Sequence, residues 1–363
     1  MEEKDEDKDK ESQPEDVYTF TCEAKNQLPQ EIRLLIIRAT HTKATDIAVA
    51  AHQSSKTELP EWVQDYKKVF ELEGFQELLP RRPWDHVINL KEGTGPWTGT
   101  HIILLSMEEQ KTLQDFLEEN LKTGRIQPSK SPYASPFFFM KKKDRKLWLI
   151  QDYWKLNQIT IPNKMPLPLI KEVINCLNGA KVFSKMNVQW GFNNIRIKEG
   201  DKEKAAFITS EGLFKLTVMF PGLTNSPATF QTMMNTILQP VILEGHVQVY
   251  IDDILVYTQT KEECQAHIRW VLQILKENRL FLKLEKCEFE KDHMDYLGVV
   301  VSANRVVMDP VKVKAIKDWP MPQKLVEVQE FIGFLNFYQR FFEGFSWIAR
   351  PLHNLTKKDT AFT

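Results

Sequence analysis

Two adjacent aspartates sit in the middle of the apolar run Val249-Tyr250-Ile251-Asp252-Asp253-Ile254-Leu255-Val256-Tyr257. A run this rich in β-branched and aromatic residues reads as strand. An unpaired carboxylate buried inside such a strand is strongly unfavourable, so both side chains must reach water or a partner. Two arrangements meet that demand. Asp is a common turn residue, so the pair can mark the exposed tip of a hairpin. It can equally hold divalent cations at a catalytic surface. The run by itself does not decide between them.

The chain has 363 residues, enough for two or three structural units. Its net charge of -1 hides an uneven distribution. Residues 1–16 carry nine acidic and three basic side chains, so the rest is net basic. This acidic stretch has no apolar periodicity and is expected to be disordered, with a poorly structured linker reaching residue 55. It resembles neither a secretory signal nor a membrane anchor. No later apolar run approaches the roughly 20 residues of a membrane span. Cys22, Cys176, Cys264 and Cys287 are far apart and show no CxxC spacing. Reduced thiols in an intracellular protein, cytoplasmic or nuclear and not secreted, are the expectation. The histidines form no HExxH or His/Cys cluster, which argues against zinc.

Trp62, Tyr66, Val69 and Phe70 predict an amphipathic helix within 59–75, and 76–104 should be extended. Ser106 is a candidate N-cap for a helix with Glu108 and Glu109 in its first turn and Leu113, Phe116, Leu117 and Leu121 as its buried stripe. Residues 135–140 and 147–150 predict a hairpin around a basic turn, and Val182–Val188 predicts a further strand. Ser226-Pro227 predicts a helix start, with Ser226 as the cap. Helices are expected from about Lys261 to Asn278 and over 309–355, the latter interrupted by Trp319-Pro320-Met321-Pro322. Strands and helices mix without regular βαβ alternation, so the predicted class is α+β.

The motifs, taken in order, resemble one family. They are "RPWDHVINL" (82–90), "LEENLKTGRIQPSKSPYASPFFFMKKKD" (117–144), "DYWKLNQITIPNKMPLPLI" (152–170), "AKVFSKMNVQWGFNNIRIKEGDKEKAAF" (180–207), "GLTNSPATFQTMMN" (222–235), "YIDDILVYT" (250–258), "LKLEKCEF" (282–289), "YLGVVVS" (296–302) and "DPVKVKAIKDWPMPQ" (309–323). "FIGFLNFYQRFF" to "ARPLHNLTKKD" (331–359) completes the set. Together they resemble the reverse transcriptase of gypsy-type LTR retrotransposons, the fungal-type elements in particular. The resemblance implies a right-hand polymerase with a ferredoxin-like palm. After an N-terminal extension over 56–105, it implies fingers at 106–165 and 200–221 and palm at 166–199 and 222–300. Thumb follows at 301–350, and 351–363 begins a connection. It further implies a primed RNA or DNA template and dNTPs as partners, with two Mg²⁺ ions, or Mn²⁺, as cofactors. The residues alone indicate no membrane partner and leave the oligomeric state open.

By this resemblance Asp252 and Asp253 are two of three catalytic, metal-holding carboxylates, and the third position is occupied by Asn187. The backbone carbonyl of Val188 would complete the metal's ligands. Phe192 matches the aromatic beneath the incoming sugar. Lys142 and Trp148 fall where the fingers present Lys and Arg to the triphosphate, and Trp154 falls at a second family Arg. Trp cannot pair bidentately with phosphate. Pro221 replaces an aromatic beside Gly222 in the nucleotide pocket, and Gln189 replaces an Arg. Arg145 stands where the hairpin turn has Gly. Leu297 and Gly298 match the hairpin that grips the primer end, and Lys286 is a candidate general acid for pyrophosphate.

Asp→Asn, Gly→Arg, Arg→Trp and Arg→Gln are each reachable by one G:C to A:T transition. Their clustering at polar site positions, beside an intact apolar pattern, predicts a polymerase fold with lost or severely reduced activity. A catalytically dead nucleic-acid-binding protein is the alternative.

Overall fold

In the computed structural model the described residues are 59–357, except 72–76, 98–101, 142–146, 178 and 304. The expected acidic tail and the basic turn with Lys142 and Arg145 lie outside them. The chain divides into two compact units between Asp292 and His293.

The first unit opens with a 3₁₀ helix, Glu61–Phe70. An α-helix was the expectation here. Three residues per turn align Val63, Tyr66 and Val69 on one edge, and Val63 and Val69 are buried. Trp62 and Phe70 meet Phe289 edge-on at 6.1 and 6.4 Å.

In chain order the unit then contains α1 (Met107–Lys122), β1 (Ile126–Pro128), β2 (Phe137–Lys141), β3 (Leu147–Gln151), α2 (Trp154–Ile159), α3 (Ile170–Asn175) and β4 (Val182–Asn187). It continues with β5 (Ala206–Thr209), β6 (Gly212–Leu216), α4 (Ser226–Ile237), α5 (Gln239–Leu243), β7 (Val247–Tyr250), β8 (Asp253–Thr258), α6 (Lys261–Glu277) and β9 (Glu288–Lys291).

Helix α1 starts as its sequence predicts. The Ser106 side chain accepts from the Glu109 N–H and the Glu109 carboxylate accepts from the Ser106 N–H, a capping box. Its buried stripe differs at one place. Leu121 is 38% exposed and Asn120 is buried instead, because positions 113, 117 and 120 share the inward arc. Asn120 satisfies its amide on the Phe116 carbonyl at 2.8 Å. Helix α4 begins one residue earlier than predicted: Asn225, not Ser226, occupies the cap position. The Asn225 side chain is spent on the chain at 161–163, donating to the Ile161 carbonyl and accepting from the Asn163 N–H.

Strands β7, β8, β4 and β9 form one antiparallel sheet in that order. With α4 and α6 the connectivity is β4-α4-β7-β8-α6-β9, the ferredoxin-like βαββαβ arrangement expected of a palm. The helices bury Phe230, Met233, Ile268, Val271 and Leu272 in one core with Met186, Val249, Ile254 and Val256 of the sheet. A second core gathers Leu113, Leu117, Ile126, Phe137, Tyr153, Leu156, Phe207, Leu216 and Phe220 from α1, α2, the β1-β6-β5 sheet, the β2-β3 hairpin and the segments beside them.

The second unit holds the meander β10 (His293–Tyr296), β11 (Val299–Ser302) and β12 (Arg305–Met308), then α7 (Pro310–Lys317), α8 (Leu325–Phe337) and α9 (Phe345–Leu355). The Asp309 carboxylate caps α7 through the Val311 N–H at 2.8 Å. The two prolines of 319–322 fall between α7 and α8, as predicted. Ile316, Val328, Phe331, Leu335, Tyr338, Ile348 and Leu352 form this unit's core. Among the described residues no helix is long and apolar enough to cross a membrane.

Candidate active site

The aspartate pair lies at a hairpin tip. Tyr250 pairs with Asp253, leaving Ile251-Asp252 as a two-residue loop between β7 and β8. Such loops need left-handed backbone at the first central residue, usually Gly. Here Ile251 adopts φ 54°, a conformation a β-branched residue enters only when held. Gln231 of α4 holds it. Its Oε1 accepts from the Ile251 N–H at 2.7 Å, and its Nε2 donates to the Val249 carbonyl at 3.0 Å and to Asn235 Oδ1 at 2.8 Å. Gln231 is fully buried. Sequence reasoning gave it no role. The available signal was an amide between Phe230 and Met233 on a helix face that is otherwise apolar.

Register places Asn187, the last residue of β4, opposite Asp253. Its amide donates one N–H to Asp252 Oδ2 at 3.1 Å and one to Asp253 Oδ1 at 2.9 Å. Asn187 is only 6% exposed. The backbone is fixed on both sides: the Val188 N–H donates to the Asp252 carbonyl at 2.8 Å, and the Lys283 N–H to the Asn187 carbonyl at 2.9 Å. Asn187 and the aspartates, 65 and 66 residues further along the chain and predicted to share a site with it, are thus in direct contact, with Val188 beside them.

Burial pushes the Asp253 carboxyl above its ordinary range; the Asn187 hydrogen bond opposes this, the Asp252 charge adds to it, and Lys185 and Lys286 pull it back. Lys185 also pairs with Glu288 at 3.4 Å. Lys286 is exposed, on the short 3₁₀ turn Leu284–Lys286, and its charge acts weakly to lower the Asp253 pKa.

Two-ion polymerase sites hold cations roughly 4 Å apart between hard anionic oxygens. The donor set here does not fit that demand. Two carboxylates face an amide that presents N–H groups to both, and each N–H occupies an oxygen a cation would use. Among the described residues, no three His, Cys, Asp or Glu side chains are grouped so as to hold a metal.

Phe192 lies in the 3₁₀ turn Gly191–Asn194, half-buried and edge-on to Phe230 at 5.7 Å. Pro221 and Gly222 are exposed. Gly222 takes φ 107°, and a Cβ there would stand 3.4 Å from the Gln151 carbonyl. Asn157 pins this turn, donating to the Gly222 carbonyl at 2.8 Å and accepting from the Thr224 N–H at 2.9 Å. Pro221 and Gly222 border a cleft of about 390 Å³ with Phe116, Leu149, Gln151 and Phe220. Trp148 stands on β3 opposite Met140, and Trp154 is 64% exposed at the start of α2. In the second unit, Leu297 and Gly298 form the two-residue loop between β10 and β11, with φ 48° and 81°. Two successive left-handed residues are the signature of a type I′ hairpin. Tyr338 donates its hydroxyl proton to the Gly298 carbonyl at 3.4 Å.

The fold these elements build is the right-hand polymerase fold of retroviral reverse transcriptases. A foamy viral protease-reverse transcriptase solved with double-stranded DNA superposes with a TM-score of 0.73 at 21% identity, over 87% of this chain and 56% of that one. The same viral protein solved with an RNA/DNA hybrid gives 0.69 at 20% identity, over 88% and 43%. Residues 140–301 match the family described as reverse transcriptase (RNA-dependent DNA polymerase). The retrovirus-related Pol polyprotein from transposon 297 of Drosophila melanogaster is 34% identical over 280 residues, 76% of this chain and 26% of that protein. The transposon Tf2-3 polyprotein of Schizosaccharomyces pombe is 34% identical over 251 residues, 69% and 19% respectively. The chain therefore carries a reverse transcriptase domain of the retrotransposon polyprotein kind, and it spans about a quarter or less of these relatives.

Proposed function

We propose that this chain is the polymerase portion of a gypsy-type retrotransposon reverse transcriptase, that it binds a primed RNA or DNA template, and that its nucleotidyl transfer is strongly reduced. The observation that carries this reading is the convergence of Asn187, Asp252 and Asp253 at the ends of β4 and the β7-β8 hairpin. That is where the family resemblance calls for three carboxylates. Palm at 166–199 and 222–300, fingers at 106–165 and 200–221 and thumb at 301–350 follow from the same reading. Phe192 would lie under the incoming sugar, with Pro221 and Gly222 beside the nucleotide. Lys142 and Trp148 would lie toward the triphosphate, Leu297 and Gly298 at the primer end, and Lys286 near the leaving pyrophosphate. Reverse transcription consumes cellular RNA and dNTPs, which places the activity in the cytoplasm or nucleus; the buried, unpaired thiols of Cys264 and Cys287 agree with that.

Polymerisation requires the primer hydroxyl to lose its proton and attack the α-phosphorus while pyrophosphate leaves. Each event builds charge that divalent ions held by carboxylates normally stabilise. Replacing one carboxylate by an amide lowers the site's charge by one and ties up the remaining two. Primer extension on an RNA template with Mg²⁺ or Mn²⁺ tests this. Incorporation should be at least about tenfold slower than in Asn187→Asp, a barrier difference of roughly 1.4 kcal/mol or more. Wild-type turnover within tenfold of that variant would overturn the impairment.

The second reading, a nucleic-acid-binding protein without catalysis, draws on the same Asn187 contacts. It predicts primer–template affinity that falls steeply with salt, with no incorporation in wild type or in Asn187→Asp.

A further inference from the structure

We infer that the Asn187 amide serves as an internal substitute for a cation, holding the Asp252 and Asp253 carboxylates together without metal, so that the closed hairpin is insensitive to divalent ions. Two carboxylates on consecutive residues, both partly buried, repel each other and need a positive partner. Asn187 supplies the positive ends of two N–H dipoles, one to each carboxylate, at 3.1 and 2.9 Å. The reverse orientation of the amide would put a third oxygen beside two anionic ones, which nothing but a cation could stabilise. Lys185 and Lys286 complete the compensation from a distance. The backbone that carries the amide is fixed by its place in β4, by its register with Asp253 and by the Lys283 N–H on the Asn187 backbone carbonyl. To admit an ion, the site must break both bonds and rotate a side chain that is 6% exposed.

The consequence differs from lost catalysis. An all-carboxylate version of this site is held open by repulsion until metal arrives, whereas this one is closed in advance. The inference rests on assigning the hairpin to a polymerase palm. It is read from ion binding and unfolding, so a failure of template binding would sink the functional reading and leave this one intact.

The test uses the full chain, with Mn²⁺ as the probe, in wild type, Asn187→Asp and Asn187→Ala. Wild type should melt at the same temperature in EDTA and in Mn²⁺. Asn187→Asp should melt several degrees lower in EDTA, regain that loss in Mn²⁺, and bind Mn²⁺ at least about tenfold more tightly by paramagnetic resonance. Asn187→Ala should melt lower in both buffers. Wild-type Mn²⁺ affinity equal to that of Asn187→Asp would overturn the inference, as would an Asn187→Ala variant as stable as wild type in EDTA. If Asn187→Ala does not fold, the affinity comparison between the other two decides alone.

Discussion

Gln231, beside the aspartate hairpin, and His86, against Thr229 near the start of α4, show how single side chains carry more of this fold than their neighbours in sequence announce. Gln231 spans from α4 to the hairpin and satisfies the amide of a residue held at positive φ. Substituting Leu keeps the volume and removes both roles, leaving the Ile251 N–H and the Val249 carbonyl without their partner. A buried unsatisfied backbone group costs about 1–3 kcal/mol. Gln231→Leu should therefore lower stability by that order in urea unfolding, and unchanged stability would show that the loop needs no such support. His86 is 1% exposed and its Nδ1 lies 3.0 Å from Thr229 Oγ1. Burial lowers its pKa to about 4, opposed by the charge of Asp201. The folded state thus keeps His86 neutral while the unfolded chain takes up a proton below its ordinary value of 6.5. Between those limits the unfolded state binds more protons, so stability rises with pH, is complete above about 6.5, and is lost progressively towards 4. Unfolding followed between pH 4 and 7 should show this slope in wild type and lose it in His86→Gln.

At the level of elements, close packing sets the tolerances. Gly191 begins the turn that carries Phe192, and a Cβ added there would stand 2.9 Å from the Phe230 ring. That ring is fully buried and packs edge-on to Phe192. Gly191→Ala should force the two aromatics apart and cost about 1–3 kcal/mol, the usual range for overpacking; a melting temperature equal to wild type would refute it. Helix α6 illustrates what could be read in advance. Thr260 and Glu263 form a capping box, and both the start and the end of that helix follow from local chemistry. The 3₁₀ helix Glu61–Phe70 was not legible, since Trp62, Tyr66, Val69 and Phe70 suit a 3.6-residue period and only the core contacts of Val63 select the tighter one. The contact between Asn187 and the aspartates was legible only as a coincidence of motifs, because strand register is a long-range property. Which way the amide points depends on the two carboxylates that face it, and no local pattern encodes that.

For the whole molecule, two of the three cores interleave along the chain, and the third follows them from Met308 onward. The core under the β7-β8-β4-β9 sheet draws on residues from Val63 to Phe289, whereas the second core takes Ile88 to Leu223 from within that span. Binding of a primed template by the intact chain should weaken steeply between low and physiological salt, as phosphate neutralisation requires; affinity independent of salt would argue against an extended backbone contact. The short helix at Glu61–Phe70 has one more consequence. Its Val69 carbonyl accepts from the Leu282 N–H at 2.8 Å, and Leu282 in turn bridges Val188 next to the aspartate site. A fragment trimmed to the family match, residues 140–301, would leave that amide unsatisfied and strip Val63 and Val69 from the core. The stretch matched by the family model is therefore smaller than the stretch that builds this core, and an expression boundary or a processing cut that preserves the site must fall on the N-terminal side of Leu59.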